Sequence, residues 1–428
     1  MANVGRRTFL ASAGAGAAAL GLFGTQRAVG ANEKLNVAVI GVRGRGKSHI
    51  DAFSARKDTT VAALCDVDSR VLGGAAKSVE DRTGKAPQLV ADLRRIMDDK
   101  AIDIVSIATP NHWHALATVW ACQAGKDVYV EKPVSHNFVE GTKMVEAAAK
   151  YGRIVQTGTQ NRTLAGVREA MAFLKSGKLG KIFLAKGLCY KPRGSIGTKA
   201  DAPVPAGVDY SLWLGPAPER PFNPNRFHYE WHWNWDYGNG DLGNQGIHQM
   251  DVARWGLGVD SWPTTIQSSG GRFGYKDDGE TPNTQISSYR WDDCELVFEV
   301  RGLLTNAEKD VKVGNIFYGT EGYMVVNGDG FATFMGEKGE PGPKSTKSGG
   351  DHFGNFITAV KSRKREQLNG DIVEGHRSSA LCHLGNIAYR TGQSLTFDNT
   401  AENFGANTKA NAMLGREYRS PFAMPDKV

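Results

Sequence analysis

The sequence has few cysteines, and they form no pattern that binds metal or builds a disulfide framework. The five cysteines are odd in number and widely separated: Cys65, Cys122, Cys189, Cys294 and Cys382. A zinc site or a disulfide scaffold needs cysteines at short, repeated spacings. We therefore predict no metal site and no disulfides, and we expect the cysteines to behave as small buried hydrophobic residues.

A strong excess of charge of one sign is also missing. The chain carries 52 Lys and Arg against 45 Asp and Glu, and Arg6, Arg7 and Arg27 contribute to that excess from the extreme N-terminus. Such a mild and evenly mixed balance does not favour a nucleic-acid partner. The chain also has no internal repeat. Its N-terminal apolar run is shorter than the about 20 residues that span a bilayer, so we expect no stable membrane insertion.

The N-terminus has the order of an export signal. Two arginines precede an apolar stretch rich in Ala and Gly, and small residues follow up to Ala31. Residues 6–10, "RRTFL", resemble a twin-arginine signal, with Gly5 where Ser or Thr is usual. We expect residues 1–31 to be a leader read by the twin-arginine export machinery, and the mature protein to be periplasmic or otherwise exported. The alternative is an unrelated basic tail.

Buried strands alternate with helices in the first part of the chain. The strands "LNVAVIG", "TTVAALC", "DIVSIA", "DVYV" and "RIVQTG" are separated by amphipathic or Gly-terminated helices. This alternation predicts an α/β doubly wound parallel sheet, a Rossmann dinucleotide-binding domain over residues 33–160.

The pattern changes after residue 161. Alternating segments such as "KIFLAKGLCY", "QISSYRW" and "CELVFEVRG" predict a mostly antiparallel sheet in a C-terminal α+β domain, residues 161–428. A Pro- and aromatic-rich segment, about residues 192–240, interrupts these strands. Residues 336–350 are expected to form a flexible surface loop, and two helices follow them.

A glycine-rich turn joins the first strand to the first helix. Gly41, Gly44 and Gly46 occur in "VAVIGVRGRGKSH", where glycines let the backbone approach a pyrophosphate at the helix N-terminus. Asp66 follows Gly46 by 20 residues, at the end of the second strand. A carboxylate there binds the ribose hydroxyls of NAD and repels the 2′-phosphate of NADP.

Three arginines leave NADP open as an alternative cofactor. Arg43 stands where the usual pattern has its second glycine, and Arg45 and Arg70 lie nearby in the sequence. Any of the three could accommodate an extra phosphate.

The segment "ATPNHWH" ends the next strand at the same edge of the sheet. Thr109, Pro110, Asn111 and His114 are therefore expected to face the ligand crevice. A surface imidazole is the alternative interpretation of His114.

Lys132 follows a buried strand in "DVYVEKPV". A buried ammonium there is costly unless it has a hydrogen-bonding or charged partner or a functional role. Beside a nicotinamide it could stabilise a developing alkoxide, and burial would lower its pKa enough for proton transfer. Pro133 would hold the strand end rigid, and a cis bond is one possibility. The alternative is a lysine paired with a neighbouring acid.

The segment "GDLGNQGIHQMDVARW" predicts a helix with Asn244, His248, Asp251 and Trp255 on one face. An imidazole oriented by the Asp251 carboxylate is a candidate acid–base group. A metal site and a structural core histidine are the alternatives.

Aromatic residues crowd the segment "FHYEWHWNWDYG". Alternating aromatics usually form a strand face against a core, but Trp231 and Trp235 could instead stack on a sugar ring. Tyr190 and Arg193, at the end of the first strand of the second domain, are further substrate candidates.

Together these residues resemble the Gfo/Idh/MocA oxidoreductases. The glycine turn, "TPNHWH", Glu131-Lys132-Pro133 and the Gly-x-His-x-x-Asp helix carry the resemblance along the mature chain. It implies a Rossmann domain with Glu131 at the cofactor, a second domain with a large open sheet, and an oligomer. It also implies hydride transfer between NAD(P) and a sugar or cyclitol hydroxyl, with Lys132 and His248 as catalytic residues. Asn244 stands where the family has a catalytic Asp, so Asp251 or a water would have to replace it.

Export limits the chemistry that this resemblance implies. An exported enzyme meets no diffusible NAD pool, so we expect the cofactor to be bound tightly and recycled within the site. One possibility is an oxidoreductase that oxidises one sugar and reduces another. A second is an NAD-dependent glycosidase that works by transient oxidation, elimination and re-reduction. A third is a non-catalytic sugar-binding protein.

Overall fold

The computed structural model describes residues 34–428, which form two β-sheets with helices packed against them. The predicted leader, residues 1–31, lies outside the described residues. Within residues 34–428 no helix combines the length and apolarity needed to cross a membrane.

The first sheet has six parallel strands in the order β3-β2-β1-β4-β5-β6. The strands are β1 (Leu35–Ile40), β2 (Thr59–Cys65), β3 (Gln88–Val90), β4 (Ile104–Ile107), β5 (Asp127–Val130) and β6 (Val155–Thr157). Chain order reverses between β1 and β4, which makes a crevice at their carboxyl ends. The predicted doubly wound Rossmann architecture is confirmed.

Helices connect these strands across both faces. They are α1 (Arg45–Ser54), α2 (Ser69–Thr83), α3 (Leu93–Asp98), α4 (Asn111–Gln123) and α5 (Phe138–Lys150). Helix α4 is buried on nearly all sides. Such burial is possible because the sequence of α4 contains no Asp, Glu, Lys or Arg and therefore has no charged face. The sequence analysis missed α2 and β3.

The second sheet has nine strands in the order β14-β13-β12-β11-β7-β10-β9-β8-β15. They are β7 (Ile182–Cys189), β8 (Thr265–Gly271), β9 (Thr284–Arg290), β10 (Glu295–Arg301), β11 (Val313–Gly319), β12 (Gly322–Asn327), β13 (Gly330–Met335), β14 (Glu340–Lys344) and β15 (Leu395–Thr396). Only the β7–β10 pair is parallel in this sheet. The predicted mostly antiparallel sheet is confirmed.

The helices of the second half are α6 (Ala165–Lys175), α7 (Tyr210–Leu214), α8 (Gly240–Gly243), α9 (Gly246–Leu257), α10 (His352–Ser362), α11 (Ile372–Thr391) and α12 (Thr408–Asn411). Apolar side chains of α6, α9 and α11 pack against the sheet and form the largest core of the described residues. This packing fixes α9, which carries His248, relative to the strands.

The structure corrects two expectations for the second half. Residues 336–350 are not wholly a loop, because Glu340–Lys344 pairs with β13 as an edge strand. The segment of residues 192–240 forms no strand; it contains 3₁₀ turns at Pro224–Arg226 and Glu230–Trp233. Phe356 of α10 and Phe422 of the C-terminal tail pack with the first sheet.

Candidate active site

A cavity of 670 Å³ lies at the carboxyl ends of the first sheet, and the second half of the chain forms its other wall. Its lining contains these predicted site residues: Gly41, Arg43, Gly44, Arg45, Asp66, Thr109, Pro110, Asn111, His114, Glu131, Lys132, Trp231, Asn244 and His248. Gly46, Tyr190, Arg193, Trp235 and Asp251 are not part of it. The fold therefore brings most of the predicted cofactor residues together with Lys132 and His248.

The glycine turn is shaped for close approach of a ligand. A Cβ on Gly41, whose φ is +83°, would lie 2.7 Å from the Ala108 carbonyl oxygen, and a Cβ on Gly46 would clash with the Gly41 carbonyl. Gly44, in contrast, faces open space at the start of α1. Gly41 and Gly46 therefore let the turn pack tightly, and the open space at Gly44 leaves room for a pyrophosphate against the helix N-terminus, so the residues fit a dinucleotide.

Asp66 is held rigidly at the other end of this pocket. Its two carboxylate oxygens accept hydrogen bonds from the backbone N–H groups of Val42 and Asp68, both at 3.0 Å. Burial raises the pKa of Asp66, and these two N–H donors only partly offset that effect. The carboxylate lines the cavity where the sequence predicts ribose binding.

Each of the three arginines considered for a 2′-phosphate contacts a protein side chain. Arg45 donates to Glu131 at 2.8 Å, and Arg70 forms a two-pronged ion pair with Asp68. Arg43 contacts the ring of His228, 2.6 Å from Nδ1.

The residues after β4 form hydrogen bonds that hold the two sides of the crevice in place. His114 lies between two backbone carbonyls, with Nδ1 2.6 Å from the Pro133 oxygen and Nε2 2.8 Å from the Thr109 oxygen. Asn111 donates to Asn239 of the second half at 2.9 Å. Thr109 lines the cavity, and its buried Oγ1 has no hydrogen-bond partner.

Lys132 joins the two halves of the site. Its Nζ donates to the backbone oxygen of Asn244 at 2.9 Å and lies 3.4 Å from the side-chain oxygen of the same residue. The Lys132–Pro133 bond is cis. Burial lowers the pKa of Lys132, against the opposing effect of Glu131. The alternative of a lysine simply paired with an acid does not describe this contact.

Glu131 points to a different set of partners. It accepts hydrogen bonds from Arg45 at 2.8 Å and from the buried His49 at 3.1 Å. Burial alone would raise its pKa, but these partners hold that pKa well below the usual range. Sequence reasoning missed His49, although it lies four residues after Arg45 on the same helix.

His248 lines the cavity as a neutral imidazole. Burial, reinforced by the nearby Lys132 ammonium, lowers its pKa to about 3. Its Nδ1 is buried without a partner, so the predicted hydrogen bond to a carboxylate is absent.

Asp251 was therefore wrongly predicted to orient His248. Its carboxylate is fully buried and accepts two parallel hydrogen bonds from Arg162, each at 2.8 Å. Ser378 donates to the same carboxylate at 2.6 Å. Because Arg162 follows β6 and Asp251 lies on α9, this ion pair joins the first sheet to the helix of His248.

Three substrate candidates are also outside the cavity. The Tyr190 hydroxyl donates to Glu299 at 2.6 Å on the second sheet, and Arg193 is paired with the buried Asp241 at 2.7 Å. Trp235 packs beneath the Arg390 guanidinium. These polar groups already have protein partners, which the sequence pattern could not reveal.

His232 is a cavity residue that sequence reasoning did not assign to catalysis. Its ring stacks on Trp231, with centroids 3.6 Å apart, so one face of that indole is already covered. Its Nδ1 lies 2.5 Å from the Tyr229 carbonyl oxygen and therefore carries the proton. Burial lowers its pKa to about 3, which leaves Nε2 as a neutral acceptor.

The Pro- and aromatic-rich segment, residues 192–240, also lines the cavity near Asp66. Leu212, Trp213, Phe227 and His228 line the cavity together with Asp66. Trp213, Phe222, Phe227 and Tyr237 form a small core of their own. No periodic signal marks these residues, because the segment is irregular.

Comparison with known families agrees with this geometry. Residues 35–159 match the profile described as "Oxidoreductase family, NAD-binding Rossmann fold". Residues 187–424 match the profile "Oxidoreductase family, C-terminal alpha/beta domain" of the same family, and this match alone covers more than half of the chain. The chain belongs to the Gfo/Idh/MocA oxidoreductase family.

Curated members of the family match over part of their length. Levoglucosan dehydrogenase from Pseudarthrobacter phenanthrenivorans is 26% identical over 240 residues, 55% of each chain. Glycosyl hydrolase family 109 protein 1 from Shewanella sp. (strain MR-4) is 30% identical over 176 residues, 35% of this chain and 38% of that protein. The matches thus span about half of these relatives or less.

Solved structures of the family share the fold. The aldose-aldose oxidoreductase from Caulobacter crescentus, complexed with glycerol, has a TM-score of 0.63 and 18% identity, covering 85% of this chain and 100% of that one. The WlbA dehydrogenase from Bordetella pertussis, in complex with NADH and UDP-GlcNAcA, has a TM-score of 0.63 and 18% identity, covering 86% and 99%.

The ion pair between Arg162 and Asp251 gives a prediction for stability. Asp251→Asn leaves the buried guanidinium of Arg162 with Glu374 alone as counter-charge, at 3.1 Å and shared with Arg254, so we expect a loss of about 3 kcal/mol in the free energy of unfolding. Urea denaturation measures this loss. The double variant Arg162→Met/Asp251→Leu, which removes both charges, should recover part of it. An unchanged free energy in Asp251→Asn would contradict the structural role.

Proposed function

We propose that this protein is an NAD-dependent oxidoreductase that acts on a hydroxyl or carbonyl group of a sugar or sugar derivative. The observation that carries the proposal is one cavity that contains the glycine turn, Asp66, the Lys132 amine and the His248 imidazole. The sugar dehydrogenases among the relatives support the substrate class.

Bound NAD would accept or return a hydride at the substrate carbon. Gly41, Gly44 and Asp66 would hold the dinucleotide in the pocket that their backbone and carboxylate shape. Lys132 would donate a hydrogen bond to the substrate oxygen and stabilise the negative charge that develops there. His248 and His232, both neutral, offer acceptors for hydroxyl protons.

Asn244 shapes this chemistry because an amide cannot accept a proton from Lys132. The ammonium instead contacts neutral oxygens, and its lowered pKa brings it closer to the range of proton exchange at neutral pH. Lys132 would therefore exchange its proton with the substrate oxygen and with solvent rather than with a carboxylate.

We further propose export through the twin-arginine route with the cofactor bound tightly and recycled within the site. The support is Arg6-Arg7 in the sequence, which lies outside the described residues, and the match of residues 35–159 to an NAD-binding family profile. The open sheet of the second half would provide the contact of a homo-oligomer.

Redox-assisted glycoside cleavage is the second candidate. The family 109 glycosyl hydrolases among the relatives favour it. The intact Glu131-Lys132-Pro133 segment, which carries the resemblance to the oxidoreductases, favours net redox chemistry. A sugar-binding protein without catalysis is the third possibility.

One experiment separates these functions. The purified protein is denatured, and the released nucleotide is identified by absorbance and mass. The native protein is then given free sugars, singly and in pairs, and aryl glycosides. We expect about one NAD per chain and interconversion of sugar pairs. Glycoside cleavage without net NADH would replace the dehydrogenase interpretation, and absence of bound nucleotide would favour the binding protein.

Lys132→Met tests the role of the amine. We expect kcat to fall about 10²- to 10⁴-fold, as for loss of a general acid–base group, while NADH affinity changes little. Lys126→Met is the matched control, because Lys126 is a buried lysine at the other end of β5 whose Nζ donates only to backbone carbonyls. Full activity in Lys132→Met would remove this residue from the mechanism.

Asn244→Asp tests the effect of the amide. A carboxylate beside the ammonium favours its charged form and so raises the pKa of Lys132. The limb of the pH–rate profile that reports Lys132 should therefore move to higher pH. Asn244→Ser, which adds no charge, should leave that limb in place. A profile that does not differ between the two variants would contradict this account.

A further inference from the structure

A segment from the second half of the chain crosses the first sheet beside Asp66. We call residues 205–216 the strap. The Ser69 N–H donates to the Gly207 carbonyl at 2.8 Å, and the Asp209 N–H donates to the Val67 carbonyl at 2.9 Å. Asp68 and Val208 form an antiparallel bridge between these bonds. The strap is thus bound like an added strand directly after the ribose-binding carboxylate.

Helix α4 holds the next part of the strap. Trp113 Nε1 donates to the Leu212 carbonyl at 3.0 Å, and His112 Nε2 donates to the Trp213 carbonyl at 2.9 Å. Gly215 lies so close to the Trp113 indole that a Cβ there would be 2.2 Å from the ring. The side chains of Leu212 and Trp213 consequently form part of the cavity wall.

The C-terminal tail fastens the strap from its outer side. Arg419 Nη2 donates to the Ser211 carbonyl at 2.6 Å, and Arg419 Nε donates to the Gly215 carbonyl at 3.0 Å. Arg419 itself does not line the cavity. The backbone of the strap therefore has hydrogen-bond partners on both sides: backbone groups of residues 67–69 on one side and the Arg419 side chain of the tail on the other.

We propose that the strap is a cofactor-binding element that closes over the adenosine half of NAD and retains it through many turnovers. Leu212 and Trp213 are its contact residues, and Arg419 is a positioning residue that acts through the strap. The adenosine end leaves only when the strap separates from the first sheet, and this requires several backbone hydrogen bonds to break together. The proposal rests on the dinucleotide site of the proposed function, but not on its sugar chemistry.

The dissociation rate of NADH tests this proposal without any sugar substrate. The full-length protein is loaded with NADH and mixed with excess NAD⁺, and the loss of bound NADH fluorescence is followed. We expect Arg419→Ala to release NADH roughly tenfold faster than the unaltered protein, since three side-chain hydrogen bonds to the strap are lost, two of them to its backbone carbonyls.

Arg153→Ala is the matched control. Arg153 also donates to two backbone carbonyls, those of Tyr151 and Gly125, but at the amino ends of the first sheet, away from the strap. Its removal should lower the melting temperature without changing NADH release. Leu212→Ala removes side-chain atoms from a residue that lines the cavity, so it should accelerate NADH release. It provides a second variant if Arg419→Ala does not fold.

Three results would overturn the proposal. Equal release rates in Arg419→Ala, Leu212→Ala and the unaltered protein would overturn the strap alone, because the dinucleotide site would still be intact. Release that is equally fast in Arg153→Ala would show general loosening of the fold instead. Failure of the unaltered protein to bind NADH would overturn the proposed function together with the strap.

Discussion

The contact between the Lys132 ammonium and Asn244 is the constraint on which the site depends. It joins the end of β5 to the turn before the His248 helix, so it sets the distance between the two halves of the cavity. A buried ammonium is costly unless it is hydrogen-bonded. Here its partners are neutral oxygens, which satisfy its donors but do not stabilise its charge as a carboxylate would. The same contact therefore fixes the geometry and leaves the amine with a lowered pKa.

The carboxylates around the cavity are paired in a way that supports this arrangement. Glu131 is bound by Arg45 and His49, Asp241 by Arg193, and Asp251 by Arg162. Each pair positions a strand end or a helix, and its cation offsets part of the effect of the carboxylate on the amine, although Glu131 still opposes the lowering of the Lys132 pKa. The groups that remain toward the substrate space are neutral imidazoles and Lys132. A site of this kind binds uncharged, hydroxyl-rich molecules more readily than cations.

Sequence reasoning located the residues whose position follows from a local pattern. The glycine turn, Asp66 and Lys132 each lie at the carboxyl end of a parallel strand, and the topology brings such ends together. It failed where the partner is distant in sequence: the spacing on α9 placed Asp251 near His248, but did not show that Arg162 binds it. It also missed Trp213 and did not assign His232 to catalysis, because irregular segments carry no periodicity from which a facing direction could be deduced.

The pairing of β7 bears on how the chain is made. This central strand of the nine-stranded sheet lies between β10 and β11, and both are synthesised long after it, at residues 295–301 and 313–319. Until then both edges of an apolar strand stay open, and open strand edges promote aggregation. A chain that ends before residue 313 lacks the partner of one edge of β7, and that open edge favours association with other chains.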